Sequence, residues 1–386
     1  MSPAASHRVV VVGAGPGGAM AAIRLAELGV RDVLLVDRDP FPRVKPCASG
    51  LGPNALKILD QVGLGARIRR EAYPVNNLRL ITPGRREMML PSEGAAVVYE
   101  RAKLDAELVK AAVERGVTFR DRVAVTGLVR EGGRVVGVQA GREELRSQVV
   151  LVANGANCTF AADRRPRRII ATMMSWWEGF PIAKGSMEMF WDKRLSPLYG
   201  WLFPESDTRV NIGMCVDSVD AFGKKRFKDL RALYQEVLND YFGDRLQQAR
   251  QVGEWKSHPI SHTVWVKDVA RPGVLYLGEA ARLVHNATGE GIFQAMQSGL
   301  YAAQAVRDVL VDGVAEERAW RHYTRNLRVR FTVPFALGYV VRGALGSPLL
   351  DVVARLHNSP TVRRVAGGVI ASALSGAKVS GRAEAR

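Results

Sequence analysis

A glycine-rich segment near the start of the chain constrains the fold more than any other sequence feature. It holds three glycines in GxGxxG spacing: Gly13, Gly15 and Gly18. The β-branched run 9–12 precedes these glycines, and an alanine-rich stretch with helical spacing follows over residues 19–28. A second apolar run, 33–36, ends at Asp37, 19 residues beyond the last glycine of the motif. Strand, glycine turn, helix, strand and acid in this order predict a Rossmann-like dinucleotide-binding unit.

Each glycine of this unit has a separate physical task. Gly13 permits the tight turn, Gly15 lets the backbone approach a pyrophosphate, and Gly18 lets the helix pack on the strand. The helix then offers free N–H groups and the positive end of its dipole to the phosphates. Asp37 would accept hydrogen bonds from a ribose. The alternative interpretation is a glycine-rich turn in some other α/β unit.

The segment after Asp37 bears on which dinucleotide is bound. Residues 38–50 form a proline-broken loop rather than a crossover helix, which suits a cofactor that lies extended across the domain. The strand 274–277 and the helix 292–310 follow much later in the chain. These features predict a cofactor-binding sheet that is split in sequence and closed by a late segment.

The intervening residues predict a second layer of structure. Apolar or alternating runs over 169–178, 186–191, 200–203 and 209–216 indicate an antiparallel sheet, and an amphipathic helix follows at about 227–242. The predicted fold class is therefore α/β, with a Rossmann-like dinucleotide-binding domain, an antiparallel-sheet substrate domain and a helical C-terminal region. The predicted boundaries are 1–60, 95–165 and 270–317 for the dinucleotide-binding domain, 61–94 and 166–269 for the substrate domain, and 318–386 for the C-terminal region.

Charge is unevenly distributed along the chain. The 386 residues carry 55 Lys and Arg against 38 Asp and Glu, a formal net charge of +17. From residue 318 onward there are 12 basic and 2 acidic residues, which leaves +7 for the first 317. Such a tail suits nucleic acid, an anionic membrane surface or simply an arginine-rich genome. Because no nucleic-acid-binding motif accompanies the charge, we expect no nucleic acid partner.

Composition excludes several other classes of protein. With 47% hydrophobic and 24% charged residues, the chain is not disordered. The uncharged stretches 9–23 and 365–377 are too short and too glycine-rich to span a membrane. We expect a cytoplasmic protein, with peripheral contact to an anionic membrane through the apolar runs 331–341 and 349–356. Cys47, Cys158 and Cys215 lack CxxC spacing, so no metal site is predicted.

Four segments together resemble the FAD-dependent geranylgeranyl reductase family, within the wider group of aromatic hydroxylases and flavin halogenases. They are the glycine motif with Asp37, the loop Phe41-Pro42-Arg43-Val44-Lys45-Pro46-Cys47, the segment Tyr199-Gly200-Trp201-Leu202-Phe203-Pro204, and Gly278-Glu279-Ala280-Ala281 with Thr288-Gly289-Glu290-Gly291-Ile292. The likeness covers about residues 8–310, and it implies that the Rossmann-like domain is an FAD-binding domain of the glutathione-reductase type. The loop and the aromatic segment are typical of the reductase branch.

The resemblance implies a set of FAD contacts and a substrate wall. The FAD contacts would be Gly13, Gly15, Pro16, Gly18, Asp37, Arg38, Arg43, Lys45, Pro46, Cys47, Ala48, Arg101, Val125, Asn154, Gly155, Gly278, Glu279, Gly289, Gly291 and Ile292. An apolar tunnel would be lined by Trp176, Trp177, Trp191, Trp201 and Phe203. The alternative for these aromatic residues is ordinary core packing.

The implied activity is reduction of carbon–carbon double bonds in an isoprenoid, an apolar small molecule. Such a reaction needs a hydride at one carbon and a proton at the other; Cys47, Tyr199 and His285 are the proton-donor candidates, each with a packing role as its alternative. NADPH or a reduced ferredoxin, the latter an electron-donor protein, would supply electrons. A flavin monooxygenase is the second hypothesis, for which Asn154 is unfavourable because hydroxylases carry Asp there. A non-enzymatic electron-transfer or lipid-binding flavoprotein is the third.

Overall fold

The computed structural model describes residues 5–156, 158–160, 168–219 and 223–356. Within these ranges the strands are β1 (Ala5–Val12), β2 (Val33–Val36), β3 (Gly50–Leu51), β4 (Tyr73–Ile81), β5 (Glu87–Val98), β6 (Thr118–Arg120), β7 (Val125–Glu131), β8 (Arg134–Ala140), β9 (Glu143–Val152), β10 (Arg168–Glu178), β11 (Ser186–Phe190), β12 (Gly200–Pro204), β13 (Val210–Asp217), β14 (Arg250–His262), β15 (Ala270–Arg271) and β16 (Val274–Tyr276). The α-helices are α1 (Pro16–Glu27), α2 (Pro53–Gln61), α3 (Gly65–Glu71), α4 (Arg101–Glu114), α5 (Leu230–Leu246), α6 (Ile292–Leu310), α7 (Glu316–Leu345) and α8 (Leu349–Leu356).

The first sheet has β1 at its centre. β1 pairs in parallel with β2 on one side and with β9 on the other, β6 extends the sheet beyond β2, and β16 extends it beyond β9. The hairpin of β7 and β8 joins at β9. β1 and β2 carry continuous apolar runs at Val9–Val12 and Val33–Val36 because these residues are buried on both faces of the sheet. The α/β fold class with a split Rossmann-like sheet is confirmed.

The second sheet has the strand order β14-β10-β13-β12-β11-β4-β5-β3. Its pairs are antiparallel except for β11 with β4, which is parallel. β10, β11, β12 and β13 lie within one or two residues of the runs that the sequence predicted. One face of this sheet packs under α5, and the other face borders the cavity described below.

Three elements show how the structure differs from the sequence expectation. α1 begins at Pro16 rather than at residue 19, because proline is preorganised for the first helical position. α5 begins at Leu230 rather than about residue 227, because the Asp229 carboxylate accepts the Arg231 amide at 2.8 Å and caps the helix there. β14 was not predicted, since most of its side chains are exposed or half-buried and Pro259 interrupts the pattern.

The C-terminal region forms a helical arm. α7 is 30 residues long and buries one ridge, which includes Tyr323, Leu327, Phe331 and Phe335. Among the described helices, none is long and apolar enough to cross a membrane alone; α7 and α8, bent by 76° at their junction, meet that criterion only as a pair. Residues 357–386 of the predicted basic region, including the apolar stretch 365–377, lie outside the described residues.

Candidate cofactor and substrate cavity

A cavity of about 940 Å³ lies between the two sheets. Its volume lies at the upper end of the range for ligand sites in proteins. One end is formed by backbone and charged side chains of the first sheet, and the other by apolar side chains of the second sheet. The cavity therefore joins a polar compartment to an apolar one.

The glycine turn after β1 forms part of the polar end. Gly13 has φ +101°, and a Cβ there would lie 2.6 Å from the Ala153 carbonyl oxygen, so the position requires glycine. Gly15 precedes α1, and a Cβ there would lie 3.4 Å from Nη2 of Arg43. The first amides of α1 have no partner within the helix. They lie at the cavity wall, where an anion can accept from them.

Asp37 ends β2 beside this turn. Its Oδ2 accepts the Ala14 amide at 2.8 Å, and its Oδ1 accepts the Asp39 amide at 3.0 Å. Nε of Arg43 lies 3.7 Å from the same Oδ2. These contacts fix the buried carboxylate at the cavity wall, in the position where it can accept from a hydroxyl group.

Two arginines share one carboxylate in the same compartment. Arg101 donates to both oxygens of Asp105 at 3.1 and 2.8 Å, and Nη2 of Arg43 lies 3.1 Å from Oδ2 of Asp105. Burial lowers the pKa of Arg101, but the charges of Asp105 and then Cys47 raise it above its ordinary value. Asp105 and Asp37 balance the charges of the two arginines. The guanidinium N–H groups at the cavity wall can nevertheless donate to an anion such as a pyrophosphate.

A second charged group lies at the other side of the polar end. Burial lowers the pKa of Lys45, with the carboxylate of Glu279 opposing that shift. Burial raises the pKa of Glu279, but its contact with His258 and the charge of Lys45 outweigh burial and lower it overall. Oε1 of Glu279 also accepts the Ser261 amide at 3.0 Å. Glu279 is therefore a charged carboxylate held between β14 and the turn after β16.

The turn before α6 closes the cavity from a third direction. Gly289 has φ +64°, and its amide donates to the His285 carbonyl at 2.9 Å. The phenol of Tyr199 donates to the carbonyl oxygen of Thr288, which ties this turn to the second sheet. α6 starts at Ile292, so its positive dipole end lies at the cavity wall.

Glu290 in this turn is a residue that sequence reasoning missed. It lines the cavity, and its Oε2 accepts from Nε2 of Gln294 at 3.4 Å. Burial raises the pKa of Glu290 to about 7. The carboxyl group therefore holds a proton for part of the time at neutral pH, as a general acid must. Glu290 is the one charged residue of the segment 288–292, and that pattern could have indicated it as a site residue from the sequence.

The apolar end is rich in methionine as well as aromatic residues. Its side chains come from alternate positions of neighbouring strands, as the pleat dictates. The wall includes Leu78, Leu90, Met174, Met187, Met189, Trp201, Phe203 and Ile260. Methionine is flexible and fills irregular apolar space, so this wall can adapt to a long chain.

Two of the five aromatic residues predicted for the substrate wall, Trp201 and Phe203, line the cavity; the other three do not line it in the described structure. Trp176 donates through Nε1 to Glu205 at 2.8 Å, and Trp177 donates through Nε1 to Ser175 at 2.7 Å. Trp191 is buried beside Tyr199, with ring centroids 5.7 Å apart. Adjacent strand residues point to opposite faces, so Trp177 packs in the cluster under α5, while Trp176 packs beside the residues of the cavity wall without lining it.

The three proton-donor candidates lie in different places. Cys47 lines the cavity, and its Sγ accepts the Ser49 amide at 3.3 Å. Tyr199 also lines it, and burial raises the pKa of Tyr199 well above its ordinary value. The ring of His285 packs against Phe335 of α7, and His285 is not among the described residues that line the cavity. Burial lowers the pKa of His285 to about 4. The geometry disfavours His285 as a donor, because its neutral ring faces α7.

The other residues implied as FAD contacts mostly meet at this cavity. Gly18 is the exception, since it packs α1 against the backbone of Gly13. The wall contains Gly13, Gly15, Pro16, Asp37, Arg38, Arg43, Lys45, Pro46, Cys47, Ala48, Arg101, Val125, Asn154, Gly155, Gly278, Glu279, Gly289, Gly291 and Ile292. Nε of Arg43 and Oδ1 of Asn154 are buried without a hydrogen-bond partner among the described residues. A polar ligand with both donors and acceptors fits these groups.

Comparison with known proteins agrees with this geometry. The sequence model of the family described as FAD binding domain matches residues 6–331. The chain is 30% identical over 346 residues to menaquinone reductase of Mycobacterium tuberculosis, covering 83% of this chain and 80% of that protein. It is 26% identical over 354 residues to digeranylgeranylglycerophospholipid reductase 1 of Methanococcoides burtonii, covering 87% and 83%. A geranylgeranyl bacteriochlorophyll reductase-like structure from Thermoplasma acidophilum superposes with a TM-score of 0.82 at 22% identity, covering 98% of both chains.

Proposed function

This chain belongs to the FAD binding domain family, and on that premise we propose that it is an FAD-dependent reductase that saturates carbon–carbon double bonds of an isoprenoid chain. The names of the relatives support the substrate class, since they include digeranylgeranylglycerophospholipid reductases and a menaquinone reductase. One structural observation carries the proposal: a charged dinucleotide compartment opens directly into an apolar, methionine-rich one.

In this proposal the polar compartment holds FAD. Asp37 binds a ribose hydroxyl, while the amides of α1 with Arg43 and Arg101 bind the pyrophosphate. The open amino ends of α1 and α6 both favour negative charge in the cavity. When bound, FAD supplies hydride chemistry, and the protein supplies position and electrostatics.

The apolar compartment would hold the isoprenoid. Trp201 and Phe203 give it a rigid side, and Met174, Met187 and Met189 give it an adaptable one. A chain lying in this space is shielded from water, so a double bond is held beside the dinucleotide compartment without a competing solvent reaction. The named side chains of this wall are apolar, which suits a long hydrocarbon chain better than a compact polar substrate.

The reaction also needs a proton. Bound reduced FAD would supply a hydride equivalent to one alkene carbon, and a side chain would give a proton to the other, so that two C–H bonds would replace the π bond. Cys47, Tyr199 and Glu290 are the proposed donors on the cavity wall. The donor recovers its proton from water. NADPH or a reduced ferredoxin is proposed to restore reduced FAD between turnovers.

Product masses test this proposal directly. The FAD-loaded protein is reduced with dithionite and mixed with a geranylgeranyl glycerophospholipid or a polyprenyl quinone, with and without oxygen. A gain of about two mass units per double bond without oxygen is the expected result. A gain of about sixteen that requires oxygen identifies a monooxygenase and refutes the reductase proposal.

A further inference from the structure

The outward face of α7 changes character half-way along the helix. Over its first half the exposed side chains are polar or basic, and they include Arg321, Arg325 and Arg328. From residue 329 to the end of α7 the exposed side chains are Val329, Val333, Ala336, Leu337, Val340 and Gly343, with none charged among them. Val329 and Val333 are 75% and 72% exposed. We call Val329, Val333, Ala336, Leu337 and Val340 the apolar stripe.

The stripe is continuous and bordered by positive charge. Its residues follow helical spacing, so they form one face about 17 Å long. α8 adds three exposed apolar side chains, Leu349, Val352 and Leu356, and an exposed Arg355. Scattered exposed apolar residues need no explanation, but an uninterrupted apolar face with a basic border marks a binding surface.

The stripe also adjoins the apolar end of the cavity through α8. Leu350 and Ala354 of α8 are buried in the same cluster as Leu78 and Trp201, which line the cavity. Oδ1 of Asp351 accepts the Gly84 amide at 3.0 Å and fixes α8 on the turn between β4 and β5. A hydrophobic partner seated on α7 and α8 would thus lie next to the substrate wall.

We infer that the apolar stripe and α8 dock on an anionic lipid bilayer, with the helices lying in the membrane interface and the apolar end of the cavity facing the lipid. This inference deepens the proposed function, because it states where the isoprenoid substrate comes from. Basic amphipathic helices bind anionic interfaces by apolar burial together with electrostatic attraction. A second copy of the chain is the other possible occupant, but two chains of formal net charge +17 repel each other.

Flotation of the full-length, FAD-loaded protein with vesicles tests the inference. The vesicles are pure phosphatidylcholine or phosphatidylcholine with 30% phosphatidylglycerol, and contain no isoprenoid. We expect binding to the anionic vesicles. The V333D/L337D variant should lose it by about tenfold or more, because two apolar anchors are replaced by charges. R321Q/R325Q should weaken binding to anionic vesicles by about tenfold and leave binding to neutral vesicles unchanged.

The matched control is V113D/V311D, which places the same charges at two positions that are each 48% exposed and lie outside α7 and α8. Retained absorbance of bound FAD verifies folding of every variant. Equal binding by V333D/L337D and the wild type overturns the inference. The inference is also overturned if neither the wild type nor any variant binds vesicles and sedimentation velocity shows an oligomer of the wild type that the V333D/L337D substitutions dissociate. Turnover of detergent-dispersed substrate separates the two proposals. Vesicle binding without turnover would refute the reductase proposal alone, and turnover without vesicle binding would refute the docking inference alone.

Discussion

The phenol of Tyr199 donates a hydrogen bond to the carbonyl oxygen of Thr288 and thereby links the second sheet to the turn that begins α6. The two residues are 89 positions apart in sequence. The bond brings a residue of the aromatic segment to a turn that the resemblance assigned to FAD. Both residues line the cavity, so this bond lies where the polar and apolar compartments meet.

Loss of this bond has a measurable consequence. We expect Tyr199→Phe to lower the free energy of unfolding by about 1 kcal/mol, the usual net value of one hydrogen bond, in urea titrations. If Tyr199 also donates the proton, turnover falls by about tenfold or more. Tyr241→Phe is the control, since the phenol of Tyr241 donates to the Trp191 carbonyl away from the cavity wall. Unchanged turnover in Y199F would remove Tyr199 from the proposed donors.

The proposed ribose contact gives a binding prediction. Asp37→Asn keeps the size of the side chain but removes the charge that holds Ala14 and faces Arg43. We expect the dissociation constant for FAD to rise by about tenfold to a hundredfold, as for loss of a charge-assisted hydrogen bond. Flavin fluorescence quenching measures it. Asp244→Asn, an exposed site on α5, serves as the matched control and should bind FAD as the wild type does.

The glycine turn separates stability from binding. Gly13→Ala should destabilise the fold by more than about 2 kcal/mol, because φ is +101° and the new Cβ would lie 2.6 Å from Ala153 O. Gly15→Ala should cost less than about 1 kcal/mol but weaken FAD binding by about tenfold, because its methyl group occupies the approach to Arg43. Gly127→Ala, in open space, should change neither quantity. Wild-type FAD affinity in G15A would contradict the assigned pyrophosphate position.

Glu290 gives a pH dependence of stability. Its pKa is about 7 in the folded protein against an ordinary value of 4.5. Below pH 4.5 the carboxyl is neutral in both states; between 4.5 and 7 the unfolded chain loses the proton first, so wild-type stability falls as pH rises. In FAD-free protein, the difference in free energy of unfolding between Glu290→Gln and the wild type should therefore shift by about 3 kcal/mol in favour of the variant as the pH rises from 4.5 to 8. Denaturation at several pH values measures this, with Glu114→Gln as the exposed control.

A matching pair of variants tests the substrate wall. Met187 lines the cavity and Trp177 does not, although both lie on strands of the second sheet. Met187→Trp should fill part of the apolar end and raise KM for a geranylgeranyl lipid by about tenfold, with a smaller effect on a short prenyl alcohol. Trp177→Phe should leave both values unchanged. The reverse pattern would return the substrate wall to the tryptophans that the sequence suggested.

The sequence predicted the dinucleotide unit well because its signals are local. Gly13, Gly15 and Asp37 follow continuous apolar runs at fixed spacing. Gly13 has a positive φ, a conformation that favours glycine, so the sequence itself indicates the turn. The strands 186–190 and 200–204 were readable for the same reason, since each is a short, largely buried run whose residues are neighbours in sequence.

The side-chain environment of the site was less readable. The sequence shows that Trp176 and Trp177 are adjacent aromatic residues, but it does not show which residues pack against each of them on the two faces of the sheet. The pairing of β10 with β14 shifts register between Met174 and Trp176, and the sequence of β10 gives no local sign of that shift. The pKa of Glu290 depends on burial by segments far away in the chain, and so does the neutral state of His285 beside Phe335. Such properties arise from tertiary contacts and could not be predicted from spacing.

The position of β1 between β2 and β9 also has a consequence for the newly made chain on the ribosome. The glycine turn at Gly13 is translated early, but its opposite wall at Gly278 and Ile292 is translated more than 260 residues later. At ordinary rates of translation this interval lasts tens of seconds. Throughout it, the nascent amino-terminal half has an incomplete sheet edge at β9 and no second wall to hold a dinucleotide, so cofactor loading has to follow emergence of α6 from the exit tunnel.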